Sequence, residues 1–459
     1  MKHLIFMLCF FMIAPARAQD STLPRGLKID TFLTFQANAL DNTDLGTTTN
    51  DMRYSHSAQA RLRASYRFSP ATDGLADIRA VAIDGDSGAE DETGRIPLTK
   101  DYLELRQLWL RHKLTPELTT QIGRQRIRED AGLWWNRDIE SARLLYDTAP
   151  FKGFIGIAEA FTDYKTTDTF RADQDDRLRL LGESAWQYNE NHTLEARALY
   201  EYDHGDEEQV GNIVQGEDRD DENGNLFWLG TRAHGAFQNL KYKFDLMGVA
   251  GHEDQFASTA IPGTDTYRIT GKQSRDVAGW ALDARTELGF KGFLDYNLTL
   301  GYAYGSGDDG NGTDNAFRQS GLHSNSMRLG ESGGAVYQYG EVLRPELSNL
   351  HIFTAGGGLA YEDIADLNLF YHYYLLDNEN TDLRHSLISA PLNGIDSDLG
   401  HELDLVLNVN IFRALGMNTP WIEDIKWRNS IGLFQAGDAY GAAQGENAAK
   451  VFSEIVFRF

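Results

Sequence analysis

The chain has 459 residues, 41% of them hydrophobic and 24% charged, and its 68 acidic side chains outnumber the 43 basic ones. The net charge of -25 disfavours binding to nucleic acid, because a phosphate backbone attracts basic surfaces. Beyond the N-terminus no segment approaches the roughly 18 consecutive apolar residues of a transmembrane helix, which leaves a soluble protein or a β-barrel whose apolar residues alternate with polar ones.

The N-terminus has the three parts of a secretory signal peptide. A short positive start precedes an apolar core at residues 4–13 and an A-x-A cleavage signal at residues 16–18. Cleavage before Gln19 would remove two basic residues and leave 41 against 68 acidic ones, a net charge of -27. It would also remove Cys9, the only cysteine, so the exported protein would have no disulfide. We therefore predict one exported domain, residues 19–459.

From residue 26 onward, apolar and polar residues alternate in segments of about 10 residues, the length of a strand that crosses a bilayer. The clearest segment is ELDLVLNVNI, in which Leu403 and Leu405 lie on one face and Glu402 and Asp404 on the other. A helix would scatter these charges around its whole axis. We predict eighteen strands, which begin near residues 26, 53, 75, 101, 118, 138, 153, 177, 193, 226, 240, 276, 293, 346, 366, 401, 425 and 449.

The connections between these segments alternate in length. Short ones such as residues 69–74 and 188–192 take turns with long ones such as residues 203–225 and 305–345. Short periplasmic turns, long outer loops and both termini in the periplasm are typical of an even-stranded outer-membrane barrel. The predicted fold class is therefore all-β, a transmembrane antiparallel β-barrel of 18 strands. A barrel of about 16 to 18 strands encloses an aqueous channel, so the chain is expected to conduct a solute.

The C-terminal segment VFSEIVFRF supports a location in the cell outer membrane. It has one apolar face and ends in Phe459, and it resembles the C-terminal signal of bacterial outer-membrane barrels. The alternative is an ordinary amphipathic edge strand of a soluble protein.

Arginine is placed mainly on the polar face of the predicted strands. Its planar guanidinium binds carboxylates through two parallel hydrogen bonds, which suits a pore for a carboxylate-bearing solute. The same face also carries acids such as Asp30 and Glu183, so the pattern shows a charged lumen without giving its sign, and part of the charge must pair between neighbouring strands. The candidate pore-lining residues from the strands are Arg61, Arg63, Arg67, Arg106, Arg143, Arg177, Arg179, Arg197 and Arg285.

Acidic residues accumulate in two predicted outer loops, residues 84–94 and 203–225. Solvation of the loops and divalent bridging to lipopolysaccharide explain them. A calcium site is disfavoured, because DRDDENGN has Arg219 and GDDGNGTD has Gly307 where a calcium loop needs its first ligand. The sequence also lacks G-x-S-x-G, H-E-x-x-H and paired-histidine motifs. We therefore predict no enzymatic activity, no cofactor and no metal.

The stretch GRQRIREDAGLWW raises a geometric problem. Strict alternation from Leu118 would point Arg124, Arg126 and Arg128 into lipid, at a cost of about 2–4 kcal/mol each near the midplane. We therefore predict a β-bulge at Gly123 that turns these arginines towards the channel mouth. The two tryptophans that follow would either brace this segment or mark the membrane interface.

Several blocks in a fixed order resemble the alginate-export family of outer-membrane porins. They are GRQRIRED with the two following tryptophans, FRQSGLHSN, YGEVLRPELSNL, GHELDLVLNV, GLFQAGDAYG and VFRF, and they cover the chain from about residue 100 to its end. The resemblance implies an eighteen-stranded barrel through which a polyuronate crosses the outer membrane at an arginine-rich constriction. Carried over position by position, it indicates Arg124, Arg126, Arg128, Arg318, Arg344, Glu346 and Arg428 as substrate-binding residues.

Other functions stay open at this point. The many inward acids depart from a simple positive funnel, so the chain could be an anion-preferring porin that takes up small acidic sugars or other carboxylates. A barrel enzyme or a surface adhesin is the alternative from another class. A polysaccharide exporter would contact outer-membrane lipid, lipopolysaccharide and periplasmic export components, and it would need no cofactor.

Overall fold

The structure is a computed structural model that describes residues 26–47, 52–91, 94–167, 176–205, 209–215, 222–262, 264, 266–310, 312–329, 334–379, 383–417 and 419–459. The predicted signal peptide and the stretch around Arg219 lie outside these residues.

Within the described residues, eighteen antiparallel strands form the wall of a closed barrel. The first strand pairs with the last, from Phe32 opposite Arg458 to Asp41 opposite Ala449, so the wall has no free edge. The strands are β1 (Leu27–Asp41), β2 (Arg53–Ser69), β3 (Thr72–Asp91), β4 (Lys100–Lys113), β5 (Leu118–Arg128), β6 (Asn136–Asp147), β7 (Phe151–Ala158), β8 (Arg177–Asn189), β9 (His192–Asp203), β10 (Glu222–Phe237), β11 (Leu240–Ala260), β12 (Thr266–Phe290), β13 (Asp295–Gly305), β14 (Leu350–Tyr361), β15 (Ala365–Leu376), β16 (Asp398–Asn410), β17 (Asp424–Ala436) and β18 (Asn447–Arg458).

Smaller elements lie in the connections. In the described part of the chain they are the strands Gly94–Pro97, Ile213–Gln215, Ser326–Leu329 and Gly334–Tyr337, the helix Ile411–Ala414 and the 3₁₀ helix Asp438–Ala443. Among the described residues no helix is long and apolar enough to cross a membrane.

The wall forms because each strand presents an apolar face to lipid and a polar face to the lumen. On β16, Leu403 is 43% exposed whereas its neighbour Asp404 is 2% exposed. The same alternation places Leu298 and Leu300 of β13 on the exposed face and Thr299 on the buried one. The predicted assignment of apolar residues to the outside and charged residues to the inside is confirmed on these strands.

The strand starts agree with the sequence prediction to within four residues at every strand except β12. That strand was predicted to begin near residue 276 and begins at Thr266. Its first ten residues, TYRITGKQSR, have no apolar face. They continue the hairpin with β11 beyond the length that a bilayer requires, so lipid imposes no alternation there.

Several connections of the described chain fold into the interior of the barrel, and two of them are central to the candidate site. The Trp loop, residues 129–135, places Trp134 and Trp135 in the buried core, and Trp135 packs edge-on against Phe154. The lumen loop, residues 306–349, adds further buried apolar side chains such as Leu343. The tryptophans therefore brace the interior and do not mark the membrane interface.

Candidate substrate channel

The lumen loop is held to the wall by carboxylates of β16. The Glu402 carboxylate accepts the backbone N–H of Val342 at 2.5 Å and that of Leu343 at 3.0 Å. The Asp404 carboxylate accepts the N–H of Glu341 at 3.0 Å. Buried backbone donors need such partners, because each one left unsatisfied costs about 1–3 kcal/mol. These two inward acids therefore anchor the loop across the lumen.

Three cations meet at the side chain of Glu341. The nearest Glu341 oxygen lies 2.9 Å from Lys450 Nζ, 3.3 Å from the Arg344 guanidinium and 3.4 Å from that of Arg428. Arg344 also stacks 3.5 Å from the centroid of the Tyr337 ring. Glu341 is 1% exposed, so these ion pairs are shielded from water.

A second charged cluster joins β8 and β9. Arg179 lies 2.7 Å from the Glu201 carboxylate, and Arg177 lies 3.2 Å from that of Asp203. Both arginines were predicted to face the lumen, and both acids come from the neighbouring strand. Cross-strand pairing, which we expected to account for part of the charge, is therefore present here.

A third cluster ties the Trp loop to β10 and β11. Arg232 donates to Glu129 of the loop at 2.6 Å and to Asp245 of β11 at 2.7 Å. Burial alone would raise the pKa of Glu129, but the positive charges of Arg232 and Arg197 lower it to about 2. Arg197 also bonds Glu183 of β8 at 2.8 Å.

The remaining arginines of β2 and β4 also face acids. Arg61 is paired with Asp77 of β3, and Arg106 lies 3.2 Å from Asp138 of β6. Arg63 stands in register between Asp30 of β1 and Asp77. Arg67 differs, because it is exposed near the end of β2.

Two inward arginines have other surroundings. Arg143 donates to the Gln125 amide oxygen at 2.9 and 2.7 Å and lies 5.2 Å from the Phe154 ring centroid. Arg285 contacts the Met327 sulfur and lies 5.8 Å from the ring centroid of Phe370. Neither arginine forms an ion pair within the described part of the chain.

The bulge predicted at Gly123 is wrong. Pairing continues without a shift through Gly123 on both sides, opposite Trp109 of β4 and Ser141 of β6. Gly123 has a φ of +121°, and a Cβ there would lie 2.2 Å from the Leu108 carbonyl oxygen. The glycine permits close approach of two strands. The shift occurs instead in β4, between the residues on either side of Arg106.

Two of the three arginines after Gly123 are nevertheless paired with acids of β6. Arg124, 6% exposed, pairs with Glu140 at 2.9 Å, and Arg126 pairs with Asp138 at 2.8 Å. The Arg124 guanidinium also lies 3.8 Å from the ring centroid of Tyr164.

Residues 159–167 take the place of β5 beside the N-terminal part of β4. On β4, pairing with β5 runs only from Leu108 to Lys113. On the N-terminal side of Leu108, the N–H of Leu105 donates to the Tyr164 carbonyl at 2.8 Å. This segment and Glu140 cover Arg124, which explains why Arg124 is buried although strand alternation places it on the lipid-facing side. Arg126 is only half-buried. Arg128, at the end of β5, is exposed.

Comparisons with known proteins agree with this architecture. The family model described as alginate export matches residues 27–454. The chain belongs to the alginate-export family.

Among curated relatives, alginate production protein AlgE of Pseudomonas aeruginosa is 31% identical over 401 residues, which cover 83% of this chain and 79% of the relative. AlgE of Azotobacter vinelandii is 27% identical over 400 residues, covering 81% and 78%. Among solved structures, OccK8 (OprE) of P. aeruginosa has a TM-score of 0.53 at 12% identity, with 94% of this chain and 98% of that one covered. OccAB1 of Acinetobacter baumannii has a TM-score of 0.52 at 11% identity, covering 96% and 99%.

At such low identity the likeness to these structures concerns the fold alone. Together with the family, it identifies this alginate-export family member as an outer-membrane barrel.

In this family member a cavity of about 670 Å³ is lined by the lumen loop, by residues of strands β5, β6 and β8 to β11, and by the connections that contain Tyr164 and Arg384. Six of the sixteen predicted site residues line it: Arg124, Arg177, Arg179, Arg318, Arg344 and Glu346. The others are not part of this lining: Arg61, Arg63, Arg67, Arg106, Arg126, Arg128, Arg143, Arg197, Arg285 and Arg428.

Two of the lining residues come from the lumen loop. Arg318 is paired with Glu253 of β11 and with Asp314, and its carbonyl accepts the indole N–H of Trp228 at 2.7 Å. Glu346 lies 3.1 Å from His323 Nε2. Burial opposes its charged form, yet the bond to this histidine holds the pKa of Glu346 below its ordinary value.

Sequence reasoning missed Lys450 and the cavity-lining arginines Arg137 and Arg384. Lys450 lies on the polar face of β18, so strand alternation could have identified it, but only arginines were considered as candidate cations. Arg384 lies in a long connection, where no periodicity shows which way a side chain points.

Proposed function

We propose that the chain exports an anionic polysaccharide of the alginate type passively across the outer membrane. The observation that carries the proposal is the convergence of seven arginines, from strands β5, β6 and β8, the lumen loop and the connection before β16, on one cavity inside the barrel. They are Arg124, Arg137, Arg177, Arg179, Arg318, Arg344 and Arg384. Membership of the alginate-export family supports the same substrate class.

Most of these arginines already bind a protein carboxylate, which suits transport. When a uronate carboxylate replaces Glu201 beside Arg179, for example, one charged hydrogen bond is exchanged for another of similar strength. The net gain is small, so each sugar can bind and leave again. Conduction requires weak, repeated contacts of this kind.

Arginines without an ion pair would add stronger contacts along the route. Arg143 and Arg285 are the clearest examples in the described chain. We propose that the full set of sixteen predicted residues contributes to the path, with the cavity-lining six at its narrow part. The work is binding and release, so no cofactor takes part.

We further propose that the apolar outer face contacts membrane lipid, that the acidic outer loops bridge lipopolysaccharide through divalent cations, and that periplasmic export components deliver the polymer. The short connections lie at the same end as both termini, which is the periplasmic end in such barrels.

The second candidate function is uptake of small acidic sugars or other carboxylates. The lumen loop favours it, because this loop spans the interior and is fixed to β16 by Glu402 and Asp404. In the described conformation a small solute therefore has less to displace than a polymer. OccK2 (OpdF), a solved structure with a TM-score of 0.52 and 10% identity, was crystallised with glucuronate.

Planar-bilayer recordings distinguish the two candidates. Alginate oligosaccharides added to one side should block the single-channel current, and neutral dextran of the same length should not. In the variant with alanine at Arg124, Arg177 and Arg179 the block should weaken about tenfold or more, because three charged contacts are lost. A current that glucuronate reduces and alginate leaves unchanged would support the uptake porin instead.

A further inference from the structure

The wall beside Glu341 has the composition of a carboxylate-binding site. Arg428 and Ser430 come from β17 and Lys450 from the adjacent β18, so rigid, hydrogen-bonded strands hold all three. Their side chains converge on the Glu341 carboxylate at 3.4, 3.4 and 2.9 Å. The Arg428 guanidinium is supported by the Phe452 ring, 4.9 Å from its centroid.

The lumen loop packs closely against the wall beside these cations. Gly432 stands opposite Lys450 in the β17–β18 register. A Cβ at Gly432 would lie 2.7 Å from Val342 Cγ2 and 3.2 Å from the Cβ of Glu341. Glycine at this position therefore lets Val342 and Glu341 of the lumen loop approach the wall next to the cations.

The backbone of the lumen loop around Glu341 is bound to β16 independently of the Glu341 side chain, whose carboxylate also accepts the N–H of Tyr337 at 3.3 Å. The backbone N–H groups of Glu341, Val342 and Leu343 are already bound by Asp404 and Glu402. Burying a carboxylate is costly unless cations compensate; three cations contact Glu341, and Asp404 of β16 lies close by. The wall cations therefore bind the Glu341 carboxylate in addition to the hydrogen bonds that fix the loop backbone.

The site adjoins the route that we assign to the polymer. Arg344 contacts Glu341 and also lines the cavity of about 670 Å³, and Tyr337, which stacks on Arg344, lines it as well. A chain of uronates in this cavity would bring a carboxylate next to the cations that Glu341 occupies.

We propose that Arg428, Lys450 and Ser430 form a carboxylate subsite for the exported polymer, and that Glu341 fills it as an internal stand-in until a uronate carboxylate displaces it. This inference rests on the proposed function, since it takes a polyuronate as the ligand. Glu341 keeps the wall cations paired while the channel is empty, and the polymer must compete with it to pass.

The test compares E341Q with D308N in planar bilayers. Both substitutions remove one negative charge from the lumen loop, but Asp308 lies away from the wall cations and bonds the N–H of Gly310. E341Q should lower the half-blocking concentration of alginate oligosaccharides about tenfold, because the competing carboxylate is gone. It should also shift the reversal potential towards anions, and D308N should change neither quantity.

Adding K450M to E341Q should remove most of the gain, because the freed cation is then absent. If E341Q fails to give a heat-modifiable barrel, E341D retains the charge with a shorter reach and should give an intermediate fall in half-blocking concentration. An E341Q channel with larger conductance and unchanged half-blocking concentration would overturn the proposal, since Glu341 would then act only as a structural anchor.

Failure of this inference and failure of the proposed function are separable. If alginate blocks the wild type and E341Q behaves like D308N, the subsite is refuted and the export function stands. If alginate blocks neither wild type nor E341Q, yet the reversal potential of E341Q still shifts towards anions, the cation site stands and the export function is refuted.

Discussion

Replacing Arg232 with methionine should destabilise the barrel by leaving the carboxylate of Glu129 buried without its cation. Glu129 is 7% exposed and sits in the Trp loop, where Arg232 is its ion-pair partner at 2.6 Å. Methionine keeps much of the volume and removes the charge. Asp245, the other partner of Arg232, still has Arg197 at 3.6 Å and Lys243 at 3.9 Å, so most of the loss should come from Glu129.

The size of the effect follows from the pKa of Glu129. A fall from the ordinary value of 4.5 to about 2 corresponds to about 3 kcal/mol of stability. Because the folded-state pKa is depressed, this stability is fully present above pH 4.5 and is lost as the pH falls through about 2. The difference between wild type and R232M should therefore be largest near neutral pH and shrink below pH 4.5.

Urea unfolding of the protein from lipid vesicles, followed by tryptophan fluorescence, measures this difference. The free energy of unfolding of R232M should be lower by up to about 3 kcal/mol at neutral pH, because Arg197 and Lys243 also contribute to the low pKa of Glu129. The double variant R232M/E129Q should recover part of that loss, because no unpaired carboxylate remains, although the glutamine NH₂ cannot accept the backbone N–H groups that both Glu129 oxygens accept. A loss below about 0.5 kcal/mol, or a double variant as unstable as the single one, would refute the reasoning.

Three further predictions concern single positions. G123A should lower the free energy of unfolding by at least about 1 kcal/mol, because its Cβ would collide with the Leu108 carbonyl; an unchanged urea midpoint would contradict this. E402A should free two backbone donors of the lumen loop and raise single-channel conductance, whereas an unaltered conductance would show that the loop is held elsewhere. In NMR titrations the His204 imidazole should have a pKa above 6.5 in the wild type, because Glu159 accepts its hydrogen bond, and E159Q should lower it; equal values would exclude that contact.

The barrel could be predicted from the sequence because lipid imposes a strict pattern on every strand that it touches. Alternation such as that of Leu403 and Asp404 marks both the strand and its inner face. The predicted start was far from the observed one only for β12, which begins at Thr266. There the hairpin extends past the bilayer, so contact with lipid no longer requires apolar and polar residues to alternate. The short strands inside the connections carry no lipid-facing residues, so the same reasoning could not find them.

Which arginines face the cavity could be predicted from the sequence only in part. Alternation assigned Arg177 and Arg179 to the interior, and the structure brings both to the cavity. It could not show that residues 159–167, far from β5 in sequence, run beside β4 and cover Arg124. The charge pattern on an isolated strand contains no information about such a remote segment, which is why a bulge was predicted instead.

The inward folding of the lumen loop was also beyond the sequence patterns. Its residues have no sustained helical or strand periodicity, and its position depends on hydrogen bonds that its backbone N–H groups donate to Glu402 and Asp404, some 60 residues further along the chain. Acids on the inner face were therefore assigned to lumen charge in general, although these two act as anchors.

The central claim is that the barrel passes a polyuronate, and release from proteoliposomes tests it most directly. Vesicles that contain the purified protein and fluorescently labelled alginate oligosaccharides should lose the label, while vesicles loaded with neutral dextran of the same length should retain it. Retention of alginate to the same extent as in protein-free vesicles, under conditions where glucuronate escapes, would contradict the account.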